Sequence, residues 1–143
     1  EFRRVLFRSL RTDRGVLDES CSEDRGETWS NPVSSGIEAP QSPFVFTRIP
    51  STGDILLIRN PVANLEQGSH QGHRTPLTSA LSKDDGRTWV NEKDLEPDIT
   101  RTYCYVSTTF FDDEVVFSYY VGRLDRPLEC LRIARVPVAW LYE

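Results

Sequence analysis

The sequence is poor in several things, and each shortage closes off a class of protein. It has no methionine, not even at position 1, so we expect a fragment that lacks its natural start. It has no run of 18 apolar residues, which excludes a helical membrane span. Basic residues are the minority, 17 against 22 acidic, for a net charge of −5. That balance lacks the basic face that nucleic acid or an anionic membrane requires. Only three cysteines occur (Cys21, Cys104 and Cys130), an odd number without metal-type spacing, and three separate buried thiols on strands is the expectation. Helical periodicity is nearly absent. What remains, 38% hydrophobic and 27% charged residues over 143 positions, suits one globular domain and is too apolar for a disordered chain.

The first nine residues, Glu1–Ser9 (EFRRVLFRS), read as an in-frame translation of a common short-read sequencing adapter. The rival reading is a basic amphipathic strand or a targeting segment. Scars of this kind are set aside before fold reasoning, which leaves residues 10–143 as the domain. The segment holds Arg3, Arg4, Arg8 and Glu1, so removing its net +2 takes the charge from −5 to −7. Any signal peptide would precede it, so the sequence names no compartment.

Short β-rich runs alternate with turns along the rest. Candidate strands are Gly15–Ser22, Phe44–Ile49, Asp54–Asn60, Pro76–Ser82, Cys104–Phe110, Glu114–Tyr120 and Glu129–Val136. Turn signals at Asp24-Arg25-Gly26, Ser51-Thr52-Gly53, Asp84-Asp85-Gly86 and Asp112-Asp113 separate them. Pro61–His73 is polar and aperiodic and reads as a surface loop. The class is all-β: a sandwich, barrel or propeller.

A repeat chooses among these. Ser22-Glu23-Asp24-Arg25-Gly26-Glu27-Thr28-Trp29 recurs 60 residues later as Ser82-Lys83-Asp84-Asp85-Gly86-Arg87-Thr88-Trp89, both S-x-D-x-G-x-T-W. Asp bonds the backbone of its own turn, and Ser does so more weakly. Gly supplies the positive φ of a hairpin, Thr starts the returning strand, and Trp offers a large apolar face. The octet is identified as the Asp box of the sialidase-like β-propellers. Thr12-Asp13-Arg14-Gly15, Arg48–Asp54, Arg74-Thr75-Pro76-Leu77 and the ending Val136–Tyr142 also resemble bacterial members of that family. The resemblance implies the C-terminal part of a six-bladed wheel: the end of one blade, one full blade and a last blade of three strands, its fourth supplied by the missing N-terminus. In the family the box joins the third and fourth strands of a blade, away from the active-site face. Asp24 and Asp84 are therefore expected to serve the fold and not the chemistry.

The resemblance also implies an activity: exo-acting hydrolysis of terminal sialic acid or a related acidic sugar, with retention. Such enzymes use a Tyr nucleophile, which, unlike a carboxylate, is not repelled by the substrate's own carboxylate. A neighbouring Glu takes the phenol proton, an Asp acts as acid/base, and three Arg clamp the carboxylate through planar, permanently charged forks. Glu38 matches the base in placement and Arg59 a clamp position. Arg74 is a second clamp candidate, and Tyr105 in Tyr103-Cys104-Tyr105-Val106-Ser107 matches the nucleophile. Tyr103 is the other candidate on that strand and, by two-residue alternation, is expected on the same face. The plainer readings stay open beside these: a solvated loop carboxylate for Glu38, strand aromatics for the tyrosines, a surface position for Arg74. Arg59, in an apolar strand, needs a partner if buried. Arg11 and Arg101 are weaker candidates. His70 and His73 lack a third ligand and read as polar loop residues, so no metal is expected, and no cofactor. The expected partner is a glycan or sialoglycoconjugate, without nucleic acid and without a membrane segment, and the oligomeric state is not encoded legibly. The acid/base Asp and one clamp Arg fall in blades outside the sequence, so this chain alone is expected to be inactive. The alternative function is a non-catalytic Asp-box propeller that binds carbohydrate or protein.

Overall fold

The computed structural model describes residues 6–61, 74–123 and 125–143. They form two compact units. Of the described residues, the first takes in those up to Gln41, and the second those from Ser42 on.

The first unit is a three-stranded antiparallel sheet in the order β1-β2-β3: β1 (Leu6–Leu10), β2 (Val16–Ser22) and β3 (Val33–Glu38). β1 runs in unbroken register along β2, from Leu6 opposite Ser22 to Leu10 opposite Asp18. Four of its five residues belong to the nine set aside above. The pairing concerns their conformation and not their origin. Arg14 pairs with the buried Asp18, the third residue of β2, and the Gly15 carbonyl accepts from Ala39 N at 3.0 Å, tying the start of β2 to the end of β3.

The second unit holds two sheets. One is four-stranded in the order β4-β5-β6-β7: β4 (Val45–Arg48), β5 (Ile55–Arg59), β6 (Leu77–Ser82) and β7 (Val90–Glu96). The other is three-stranded in the order β8-β9-β10: β8 (Thr102–Phe111), β9 (Glu114–Arg123) and β10 (Arg126–Pro137). A short 3-10 helix, Val138–Tyr142, follows. Their facing surfaces share one core. Leu56, Ile58, Leu77 and Leu81 come from the first sheet. Tyr103, Val115, Phe117, Tyr119 and Val121 come from the second, and Val138 and Leu141 close one side. The counts of four and three in the second unit are those expected for a full blade and a three-stranded last blade. Among the described residues no helix is long and apolar enough to cross a membrane.

Both Asp boxes fold alike. Ser22 Oγ donates to Asp24 Oδ1 at 2.7 Å, and the same oxygen accepts Thr28 N at 2.8 Å. Thr28 Oγ1 donates to Asp24 Oδ2 at 2.5 Å, and Gly26 N donates to Ser22 Oγ at 2.7 Å. Ser82, Asp84, Gly86 and Thr88 repeat all four bonds at 2.6–2.8 Å. The turn takes two consecutive left-handed residues. Arg25 precedes Gly26 at φ 65 and 93, and Asp85 precedes Gly86 at φ 58 and 91. Glycine takes the positive φ as expected, and a non-glycine neighbour shares it in both boxes. The hydrogen bonds from Thr28 and Thr88 hold both carboxyls down to a pKa of about 2.

Besides β1, which lies mostly in the segment set aside, two strands had no counterpart among the candidates: β3 and β7, each following an Asp box. Their sequences, VSSGIE and VNEKDLE, are polar and half exposed because each pairs on one side only, at the edge of its sheet. The cysteines are three separate thiols on strands, as expected, but not three buried ones. Cys104 is buried, Cys21 half-buried and Cys130 exposed on the edge strand β10.

Two outcomes follow. Replacing Phe117, fully enclosed by the second unit's core, with Ala should cost about 3–5 kcal/mol in denaturant unfolding. The box carboxyls have folded pKa values below their ordinary 3.8, so their stabilisation is complete above that value and is lost as pH falls toward about 2. Urea unfolding of the chain should therefore weaken between pH 4 and 2, and an Asp24→Asn/Asp84→Asn variant should show a flatter profile there. An unchanged slope would contradict the box account.

Candidate functional site

The Asp box gives the four-stranded sheet two distinct ends. Ser82 leads into the box and lies opposite Ile55; at the other end Arg59 lies opposite Thr78. Glu96, at the close of β7, pairs with Leu77 there as well. Arg74 sits just ahead of β6, and its carbonyl accepts from Tyr103 N at 2.8 Å, which brings the start of β8 to the same end. The sheet end away from the box thus collects arginines, carboxylates and tyrosines.

Arg59 follows Leu56 and Ile58, which enter the core; alternation turns it, with Leu57, to the opposite face. Its side chain is only 12% exposed, and Nη2 pairs with Glu92 Oε1 at 2.8 Å. The partner demanded by a guanidinium in an apolar strand is therefore a carboxylate of β7, which the sequence reading did not single out.

Tyr103 and Tyr105 do not share a face, contrary to the expectation from simple alternation. Register runs Tyr103 opposite Val121 and Cys104 opposite Tyr120, then resumes at Ser107 opposite Ser118. Tyr105 and Val106 together face Tyr119 alone, which is a β-bulge. Tyr105 takes a left-handed φ of 57 there. The bulge reverses the projection. Tyr103 is 1% exposed, its hydroxyl donating to the Asp98 carbonyl at 3.3 Å, whereas Tyr105 is 53% exposed. Left-handed backbone costs a bulky residue about 1–2 kcal/mol, and such strain gathers at functional positions.

Arg74 is bound up with this bulge. Its guanidinium lies 5.7 Å from the centroid of the Tyr105 ring. The same group neighbours the Cys104 thiol. Burial pushes that thiol's pKa up, and the nearby guanidinium pulls it back. A third aromatic, Tyr120, meets Tyr105 edge-on at 6.4 Å.

On the core side of the same strands lies a polar link that sequence reasoning missed. Glu96 Oε1 accepts from Tyr119 Oη at 2.5 Å and from Arg132 Nη1 at 2.6 Å, joining β7 to β9 and β10. Burial raises the Tyr119 pKa well above the ordinary phenol value, with the Glu96 bond acting in the same direction. Tyr103 is raised too, by burial and then by the charge of Glu96. Both phenols therefore keep their protons and serve as donors. Residues 23 and 36 positions apart along the chain carry no local pattern that would announce such a link.

The remaining candidates are placed as follows. Glu38 ends β3 opposite Val16, exposed, in the first unit. Arg11 is exposed, and Arg101 pairs with Glu129 at 3.4 Å. His70 and His73 lie outside the described residues. Among the described residues no group of three or more His, Cys, Asp or Glu is placed to hold a metal.

A family model described as a BNR repeat-like domain matches residues 3–120. No curated protein is significantly similar to the chain. Among solved structures, the leech intramolecular trans-sialidase complexed with 2,7-anhydro-Neu5Ac is similar at 18% identity and a TM-score of 0.70 over 96% of this chain. The intramolecular trans-sialidase from Ruminococcus gnavus, in complex with oseltamivir carboxylate, aligns at 20% identity and 0.66 over 96%. A mutant of NanB sialidase from Streptococcus pneumoniae aligns at 15% and 0.60 over 94%. The chain spans 22%, 31% and 22% of those three chains. These likenesses show the fold, an all-β partial propeller of sialidase type.

The bulge makes a sharp contrast between two tyrosines two residues apart. Tyr105→Gly removes an exposed ring and the left-handed strain, and should leave unfolding free energy within about 1 kcal/mol of the parent or above it. Tyr103→Ala should cost about 3–5 kcal/mol. Equal losses at both positions would restore plain alternation.

Proposed function

Because the chain belongs to the BNR repeat-like domain family, we propose that it is part of an exo-acting glycoside hydrolase of sialidase type. The parent cleaves terminal sialic acid, or a related acidic sugar, from glycans with retention. Tyr105 is the nucleophile and Glu38 its base. Arg59 and Arg74 bind the substrate carboxylate, and Tyr103 lies beneath the site. One observation carries the reading: an exposed tyrosine, held in left-handed backbone at a bulge, with a guanidinium over its ring at the sheet end opposite the Asp box. A phenol so presented suits attack on an anomeric carbon that bears a carboxylate, and Arg74 beside it suits that carboxylate. The solved sialidases similar in fold are consistent with this chemistry. The acid/base group and a further clamp residue come from outside this chain, so the parent and not the chain alone performs the reaction.

The ion pair of Arg59 with Glu92 favours a second reading, a non-catalytic propeller that binds carbohydrate or protein, because that guanidinium is already engaged.

A fluorogenic sialoside separates the two. The full-length parent should release the dye, and Tyr105→Phe should remove nearly all of the release while sialic acid still binds. Arg74→Gln should weaken sialic acid binding by about tenfold or more, the worth of a charge-assisted bond. Full activity in Tyr105→Phe overturns the nucleophile. Sialic acid binding without turnover by the intact parent selects the second reading.

A further inference from the structure

Nothing local explains the bulge in β8. It contains no glycine, and the residue it holds in left-handed backbone is a tyrosine. The core demands only that a bulge exist. Tyr103 enters the core, and Val106 and Phe110 pack against it. Tyr103 and Val106 are three residues apart, so strict alternation would send one of them outward. One extra residue must therefore fall between them, at Cys104 or at Tyr105. Cys104 keeps its regular place opposite Tyr120, and Tyr105 takes the left-handed turn. A strained choice of this kind persists only where the surroundings over-determine it.

Those surroundings converge on Tyr119. It faces Tyr105 and Val106 on one side and Arg132 on the other, so the bulge, Tyr119 and Arg132 form one row across β8, β9 and β10. The Tyr119 hydroxyl and the Arg132 guanidinium both donate to Glu96 Oε1, at 2.5 and 2.6 Å. That carboxylate is only 13% exposed and comes from β7, in the other sheet. Tyr119 is thus fixed by a group outside its own sheet. The near side of the bulge is held as well. Tyr103 donates its amide to the Arg74 carbonyl and its hydroxyl to the Asp98 carbonyl, which also accepts Thr75 Oγ1 at 3.2 Å. We propose that Glu96 is a positioning residue for the Tyr105 phenol: its grip on Tyr119 sets the bulge at Tyr105 and so fixes the aim of that ring beside Arg74. A largely buried ionic link is weak as a source of stability, since apolar residues of the same volume often serve as well; its use is to select one arrangement among several. Here the competing arrangement is a bulge displaced to Cys104. The catalytic consequence rests on the glycosidase reading, whereas the conformational claim stands without it.

Nuclear magnetic resonance on the full chain tests the claim without any sugar. Left-handed backbone brings a residue's amide proton close to its own α proton and gives a strong intraresidue cross-peak, whereas extended backbone gives a weak one. The unmodified chain should show the strong peak at Tyr105. Tyr119→Phe removes only the hydroxyl, and Glu96→Leu removes the acceptor. Each should reduce the Tyr105 peak to the intensity of a regular strand residue such as Thr109, while the left-handed peaks of Asp85 and Asp112 stay unchanged. An undiminished Tyr105 peak in either folded variant overturns the proposal. Loss of the Asp85 and Asp112 peaks as well in Tyr119→Phe also overturns it, because the link then serves overall stability alone. In the full-length parent, Tyr119→Phe should lower kcat on the fluorogenic sialoside about tenfold or more with KM within about twofold, because a misplaced nucleophile loses the chemical step and keeps ground-state binding. A raised KM at unchanged kcat overturns the positioning role. A parent inactive in every form overturns the glycosidase reading and leaves the cross-peaks to decide the bulge.

Discussion

One carboxylate at each hairpin takes up three donors at once, and the rest of the architecture depends on that. Asp24 accepts the Ser22 hydroxyl, the Thr28 amide and the Thr28 hydroxyl; Asp84 does the same with Ser82 and Thr88. The bonds close a tight turn through two left-handed residues, a conformation that costs free energy unless it is held from the side. With the turn closed, the strand after the box must return along the strand before it. A polar segment such as VNEKDLE, which has little apolar pattern of its own, becomes an edge strand for that reason.

A turn fixed at one end gives the sheet a direction. Arg59, Glu96, Arg74 and the start of β8 all fall at the opposite end, the first two by register and the others by the bond from Tyr103 N to the Arg74 carbonyl. There the core carries its polar exceptions. Glu96 is shared by Tyr119 and Arg132, so the carboxylate at the end of one sheet is satisfied by donors from the next. On the other side of β8 and β9 the bulge swings Tyr105 outward against Arg74 and Tyr120. A buried, proton-retaining pair of phenols and an exposed, strained one stand on two faces of the same strands.

Much of this was legible in the sequence, and the failures have definite causes. β5 and β9 carry apolar-rich runs bounded by turn residues, β2 and β6 lead straight into the Asp boxes, and they were readable for those reasons. β3 and β7 were not, because an edge strand has one neighbour and tolerates a polar sequence. The Asp boxes were readable down to single residues, since every bond within them is local. Arg59 was recognised as needing a partner, but Glu92 lies 33 positions away and only the sheet identifies it. The opposed faces of Tyr103 and Tyr105 were the plainest miss. The bulge contains no glycine or other turn residue to mark it, and period-two reasoning assumes an unbroken ladder. Glu38 was matched by placement alone, and the structure sets it at the end of an exposed edge strand.

The central claim is that each box fixes one end of its own sheet and that, as proposed, a sugar engages the other end of the four-stranded one. Amide chemical-shift mapping of the chain during titration with sialic acid tests it most directly. The account predicts shifts centred on Arg59, Arg74 and Tyr103–Tyr105, with Ser22–Trp29 and Ser82–Trp89 unmoved. Shifts centred on either box, or none at the arginine-bearing end at saturating sugar, would contradict it.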